Sequence, residues 1–296
     1  TFYVAPDKYY VRPEMDKEFI DKCHAEGIAV IMDVVLNHVW GVHPWCKLYW
    51  DAALSRPASN SPFFNVQAPH NFSVGNDWKQ ENEHVQHYFC DMLKYWVSEY
   101  HIDGYRFDLV KGLGNSDSYA GNYDGDRYNA SRIANMKRLA DAVWSVAPDG
   151  YVIQEAFTSL QEEIELGNYG VMSWKNKNYS YRQSAMGYQS GSGFDDMLAA
   201  NQGRPFASVG GYMESHDEER MAFSQKSNGA TSIIKSNLRE QCYRLGSNAA
   251  FALLVPGPKM IWQFGEMGYD ISGGNGDTSE KAPHWEDLDN SNRAQL

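Results

Sequence analysis

The chain has 296 residues, 43% of them hydrophobic and 14% aromatic, which is apolar side chain enough for one large core and excludes intrinsic disorder. Its formal charge is −12, from 26 Lys and Arg against 38 Asp and Glu. With no cluster of Lys and Arg to neutralise phosphates, nucleic acid drops out as the leading partner. The longest apolar run, residues 249–255, stops at Pro256, far short of the roughly 18 residues of a membrane-spanning helix.

In chain order, residues 2–6 read as the tail of a strand already under way. Residues 14–26 place Phe19, Ile20 and Cys23 at helical spacing, open after Pro13 and stop at Gly27, the punctuation of a short amphipathic helix. Residues 28–35 follow as a nearly unbroken apolar run with β-branched residues, the pattern of a strand covered on both faces in a parallel sheet. Residues 39–80 break the rhythm: rich in Trp, Pro, Asn and Ser, they exceed the usual βα loop several-fold and read as an inserted excursion. Residues 83–100 resume helical spacing through Val85, Tyr88, Phe89, Met92 and Trp96, ahead of a strand at 102–107. A helix at 131–146, a turn at Pro148-Asp149-Gly150 and a strand at 151–154 repeat the alternation. Further strands are expected at 171–174, 209–214 and 259–264, the last two separated by a helix over 236–254.

Six strands alternating with helices, without a Gly-x-Gly-x-x-Gly fingerprint, point to a parallel α/β barrel rather than a dinucleotide fold. The four cysteines, Cys23, Cys46, Cys90 and Cys242, lie far apart without a Cys-x-x-Cys pair, excluding a zinc ribbon and a disulfide-dense scaffold. Cys23 and Cys90 fall on apolar helix positions and read as buried free thiols. The remaining histidines, His24, His43, His70, His84, His87, His101 and His284, carry no ligand pattern and read as ordinary surface residues.

In a parallel barrel the chemistry belongs at the C-terminal ends of strands. Four such ends are unusually polar: Asp33-Val34-Val35-Leu36-Asn37-His38, Gly104-Tyr105-Arg106-Phe107-Asp108, Ile153-Gln154-Glu155 and Glu214-Ser215-His216-Asp217. Strand alternation turns Arg106 and Asp108 to one side and Phe107 to the other. A guanidinium beside Asp108 favours the ionised carboxylate that a nucleophile needs. Glu155 follows an apolar strand and precedes Ala156 and Phe157, a setting expected to favour the protonated acid. Two carboxyls with diverging environments are the acid and nucleophile of a retaining glycoside hydrolase.

These four segments, in this order, resemble the four signature regions of the α-amylase family of glycoside hydrolases (glycoside hydrolase family 13), which act on α-glucosidic bonds with a (β/α)₈ TIM barrel. The resemblance implies Asp108 as nucleophile, Glu155 as acid and base, and Asp217 as a third carboxylate gripping sugar hydroxyls. It implies substrate contacts from Asp33, His38, Arg106, Lys111 and His216, with Asp33 bracing the arginine. The implied organisation is barrel over 1–38, a small inserted domain over 39–80 after the third barrel strand, and barrel again over 81–296. The first two βα units and the β-sandwich that usually follows are not visible, and six of eight strands would leave two open sheet edges that invite aggregation.

Asn37 matches a residue that commonly binds structural calcium in the family, whereas the histidine ligand often found after Lys111 is Gly112 here. Calcium at Asn37 is therefore an open expectation, because this cation takes main-chain oxygens as readily as side-chain ones. Asn122-Tyr123-Asp124-Gly125-Asp126 also looks calcium-like, but Arg127 and Ile133 stand where an EF-hand needs Gly and Glu, so a polar turn is expected. Ser215 replaces the Asn usual before the His-Asp pair. Trp40, Trp45, Tyr49 and Trp50 suit either stacking on sugar faces or a core of the inserted stretch.

The function implied is retaining hydrolysis of starch- or glycogen-type α-glucans. Transglycosylation or branching, with sugar as the acceptor, uses the same residues. A non-catalytic glucan-binding protein has no need of a proton donor, and a metal-dependent hydrolase ligated by Asp33, His38, Glu155 and His216 conflicts with Arg106. An acidic, starch-directed protein is more often exported than cytosolic, which makes a secreted or periplasmic location the expectation.

Overall fold

In the computed structural model of the protein, residues 2–9, 12–41, 43–70, 74–114, 125–272 and 281–296 are described. Residues 122–124 of the expected polar turn lie outside them. The chain divides into two compact units, Thr1–Ser173 and Trp174–Leu296.

The first unit opens with α1 (Pro13–Ala25) and β1 (Ile31–Val35). Between β1 and the next long helix lie β2 (His38–Val39), α2 (Pro44–Leu48), β3 (Trp50–Asp51), β4 (Arg56–Pro57) and β5 (Asn76–Asp77). Then come α3 (Glu83–Tyr100), β6 (Gly104–Asp108), α4 (Ala130–Trp144), β7 (Tyr151–Gln154), α5 (Leu160–Tyr169) and the first residues of β8 (Met172–Asn176). β1 runs parallel to β6 from Ile31↔Gly104 to Val35↔Asp108, β6 to β7 from Gly104↔Tyr151 to Phe107↔Gln154, and β7 to β8 at Ile153↔Met172 and Gln154↔Ser173. The strand ends that carry polar residues therefore point the same way.

Helix α3 shows why these segments pack as they do. Asn82 caps its start by accepting from the N–H groups of His84 and Val85, satisfying donors that the first turn leaves open. Val85, Phe89, Met92, Leu93, Trp96, Val97 and Tyr100 then form one buried stripe, as 3.6-residue periodicity requires. That stripe meets Tyr105 and Phe107 of β6 and Ile133, Met136 and Val143 of α4 in one cluster.

Residues 39–80 contribute to the same cluster. The short strands here pair antiparallel, β2 with β5 and β3 with β4, and Phe64 and Trp78 are fully buried, their rings stacked 4.1 Å apart. Trp45 lies 4.5 Å from both Phe63 and Tyr88, and Trp50 is half-buried beneath the Lys47 ammonium. Trp45 and Trp50 are thus packing residues, whereas Trp40 is 63% exposed. The surface placement expected for His43 and His70 is corrected, since both are buried. His43 accepts from the Trp45 N–H through Nδ1 within a cage of aromatic rings.

The second unit continues β8 and holds α6 (Asn178–Met186), β9 (Val209–Tyr212), α7 (Met221–Asn228), α8 (Ser232–Ser236), α9 (Leu238–Leu254) and β10 (Lys259–Met260). β9 and β10 are parallel, with Lys259↔Gly211 and Met260↔Tyr212. Tyr181, Ala185, Met221, Ala222, Leu245 and Ala252 make its core. The strand expected over 259–264 ends at Met260, and Phe264, left-handed at φ 62°, leads into a 3₁₀ turn. All four cysteines are free thiols, with Cys46 and Cys242 buried and Cys23 and Cys90 half-buried. Among the described residues no helix is long and apolar enough to cross a membrane.

Candidate active site

β6 supplies the centre of the site. Its first residue must be glycine: a Cβ on Gly104 would sit 2.1 Å from the carbonyl oxygen of Tyr151 on the neighbouring strand, closer than any side chain tolerates. Tyr105 and Phe107 are fully buried in the core cluster, and the Tyr105 hydroxyl donates to the Leu93 carbonyl at 2.7 Å. Alternation turns Arg106 and Asp108 to the opposite face. The register places Asp33 beside Arg106 and Val35 beside Asp108.

Arg106 gathers three carboxylates. Nη1 donates to Asp33 Oδ1 at 2.9 Å and to Asp108 Oδ1 at 2.7 Å, and Nη2 lies 2.7 Å from Glu155 Oε1. The guanidinium is 4% exposed, and exposure rises outward through Glu155 (6%), Asp108 (22%) and Asp33 (54%). Burial works against the arginine's charge, but Asp33, Glu155 and Asp108 together hold its pKa above the ordinary value. Three carboxyl groups thus share one fixed cation at the strand ends.

Glu155 is the residue whose setting departs from expectation. It is buried, but the apolar environment anticipated for it is replaced by donors: Arg106 faces Oε1, and the Leu109 N–H donates to Oε2 at 3.0 Å. Its own carbonyl accepts from the Val110 N–H at 3.0 Å. The turn that leaves Asp108 is thereby fastened to Glu155, and Leu109 is held at φ 46°, a strained conformation for a branched residue.

His38 stands at the start of β2, half-buried. Asn37 Nδ2 lies 3.1 Å from His38 Nδ1; an amide donor there makes Nδ1 the acceptor and leaves Nε2–H as a donor. Burial lowers the pKa of His38, partly opposed by the charges of Asp108 and Asp77, so the ring is neutral at pH 7. The Trp40 ring is 6.3 Å from it. His38, Trp40 and Asp33 line a cleft of about 450 Å³ together with Tyr3 and Met32. Lys111 lies in the 3₁₀ turn Val110–Gly112 that follows Asp108.

In the second unit, Glu214, Ser215, His216 and Asp217 follow β9. Glu214 is buried; its Oε2 accepts from the Met221 N–H at 2.8 Å and its Oε1 lies 3.4 Å from Arg220 Nη1. Ser215 Oγ accepts from the Asp217 N–H at 3.2 Å and donates to Glu218 at 2.5 Å. The serine that replaces the usual asparagine thus ties the turn on both sides. His216 and Asp217 remain substantially exposed, His216 Nε2 lying 3.4 Å from Asp217 Oδ1.

Around Gly112, the buried Oδ1 of Asn37 accepts no hydrogen bond among the described residues. A Cβ on Gly112 would come within 1.9 Å of that oxygen and 3.2 Å of His70 Nε2. His70 Nε2 in turn lies 3.3 Å from Asp77 Oδ1. Oxygens of this kind suit a hard cation, although among the described residues no three His, Cys, Asp or Glu side chains converge on a common point. Asp77 and His70 have no sequence signature; only the structure brings them to Asn37.

Parallel strands alternating with helices, and carboxylates gathered at strand ends by a buried arginine, define a glycoside hydrolase domain of the α/β class. The family model of the α-amylase catalytic domain matches residues 70–293, and the chain belongs to that family. Similar curated proteins include a 1,4-α-glucan branching enzyme of Photobacterium profundum, 25% identical over 194 residues that cover 60% of this chain and 26% of that protein. A glycogen debranching enzyme of Klebsiella pneumoniae is 27% identical over 228 residues, 72% of this chain and 33% of that protein. The chain therefore spans about a quarter to a third of the length of these relatives. Among solved structures, an Anoxybacillus α-amylase shares the fold with TM-score 0.65 at 18% identity, over 93% of this chain and 56% of the other. Type I pullulanase from Bacillus subtilis, solved with maltose, gives 0.63 at 19% identity over 92% and 39%.

Proposed function

We propose that the chain carries the catalytic residues of a retaining α-glucan hydrolase, built on a (β/α)₈ barrel with residues 39–80 as its small inserted domain. The observation that carries this reading is the single guanidinium of Arg106, hydrogen-bonded to Asp108 and paired at 2.7 Å with Glu155. A nucleophile must be ionised and aimed, and an acid must stand beside it on the same bond. Asp108 attacks the anomeric carbon while Glu155 gives its proton to the departing glycosidic oxygen; Glu155 then takes a proton from water, which displaces Asp108 and restores both groups. A protonated carboxyl keeps acceptor lone pairs, so Glu155 can carry that proton and still accept from the Leu109 N–H. Neutral His38 offers Nε2–H to a sugar hydroxyl.

Release of reducing ends from soluble starch, lost in Asp108→Asn while circular dichroism stays unchanged, is the expected result. A variant as active as the parent overturns the assignment. Transfer of a glucan chain to a sugar acceptor is the second reading, favoured by the similarity to branching enzymes; it predicts changed chain lengths with a constant number of reducing ends.

For calcium, Asn37 Oδ1 and Asp77 are the side-chain oxygens that would hold it, and it would brace the inserted stretch against the strand end that bears His38. A cation bound only by the folded state raises the melting temperature, so calcium should raise it and a chelator lower it. Identical melts in both conditions would remove calcium from the reading.

A further inference from the structure

Arg132, on α4, is fully buried and touches none of the groups described so far except the backbone of Lys111. A guanidinium has five N–H donors, and here all five are engaged. Nε donates to Glu162 Oε1 at 2.6 Å, and Nη2 to Glu162 Oε2 at 2.7 Å and the Arg127 carbonyl at 2.9 Å. Nη1 donates to the carbonyls of Lys111 and Gly125, both at 2.8 Å. Glu162, in the first turn of α5, is equally buried and also accepts from the Asn129 N–H at 3.2 Å.

The three carbonyls belong to the two described ends of the connection between Asp108 and α4. Lys111 lies at the near end, Gly125 and Arg127 at the far end. The near end is the turn whose other side is fastened to Glu155 through Leu109 and Val110. One buried ion pair therefore sets the position of a backbone turn that presents Lys111 and abuts Glu155.

We propose that Arg132, backed by Glu162, is a positioning residue that fixes the turn bearing Lys111, the sugar contact that the family resemblance puts on the leaving-group side, and thereby the grip on the sugar that leaves. This rests on the function proposed above. An ammonium offers three donors where five acceptors wait, so lysine cannot substitute. The effect falls on substrates whose departing group is a sugar, which needs both the Lys111 contact and the proton from Glu155. An aryl α-maltoside, which expels a stable phenolate, needs neither.

The test compares kcat/KM of the parent, Arg132→Lys, Lys111→Ala and the double variant on a maltooligosaccharide and on an aryl α-maltoside, with thermal melts of each. Arg132→Lys should lose about tenfold or more on the oligosaccharide and stay within about twofold on the aryl substrate, and adding Lys111→Ala should cost nothing further. Equal losses on both substrates, or losses that add, would overturn the positioning role while leaving the proposed function intact. A parent that turns over neither substrate removes the proposed function and this inference with it. Should Arg132→Lys lack a cooperative melt, Glu162→Gln, which keeps the shape and removes the charge, carries the same comparison.

Discussion

At the residue scale, the buried groups show how narrowly the first unit is set for neutral pH. His43 lies within 5.0 Å of the Trp78 ring and 5.7 Å of Tyr3, and its Nδ1 is needed as an acceptor for the Trp45 N–H. Burial pushes its pKa down from 6.5 to about 4. Above the unfolded value both states are neutral and the residue adds no pH dependence. As pH falls from 6.5 towards 4 the unfolded chain takes up the proton first, and stability is lost across that window. This residue alone should lower the unfolding free energy by about 2 kcal/mol between pH 7 and pH 5, and His43→Gln should flatten the urea-denaturation profile over that range. An unchanged slope in the variant would show that His43 does not titrate as its setting requires. Nothing in the spacing of histidines distinguishes His43 or His70 from exposed ones, since their burial depends on aromatic residues brought in from elsewhere in the chain. The Arg106 cluster is different: Gly-x-Arg-x-Asp is local, and strand alternation alone turns Arg106 and Asp108 to one face.

At the scale of elements, β6 depends on a close approach to β7 that only glycine permits. Gly104→Ala should cost about 2–4 kcal/mol because the clash is with the backbone of Tyr151, which cannot turn aside. A shift in urea midpoint with unchanged m-value would register it; a loss below about 0.5 kcal/mol would mean that the strands part easily. Helix α3 and strands β6 and β7 are legible in the sequence to within a residue or two, because long apolar stripes and β-branched runs mark them. Helices α5 to α8 are not. In α6 and α7 the buried positions include Asn178, Ser180, Ser224 and Gln225, and hydrogen bonds join the two helices: Gln225 Nε2 donates to the Ala185 carbonyl at 3.1 Å and Arg182 Nε to Ser224 Oγ at 2.9 Å. A core face built from hydrogen-bonded polar residues carries no apolar period to read. The Arg132–Glu162 pair escapes for a related reason, its partners standing thirty residues apart with no motif between them.

At the scale of the molecule, each unit carries strand-end carboxylates beside a buried arginine. In the first unit Arg106 meets Asp33, Asp108 and Glu155. In the second, Arg220 meets Glu214, donates to the Gln263 carbonyl at 2.7 Å, and packs 4.6 Å from the Tyr269 ring. The family was legible because four short strand ends recur in a fixed order, each held by the sheet rather than by its own loop. Residues 39–80 read in the sequence as a break in the alternation, whereas the pairing of the short strands there and the sharing of their aromatic residues with the core of α3 depend on long-range contacts. In the proposed mechanism one carboxylate oxygen of Asp108 bonds to the sugar. The most direct measurement is mass spectrometry of peptides after incubation with an α-glucosyl fluoride bearing a second fluorine beside the ring oxygen, which slows release of the glycosyl group more than its attachment. A glucosyl adduct on the peptide containing Asp108, absent from Asp108→Asn, is the expected result; turnover with the adduct on another residue would contradict it.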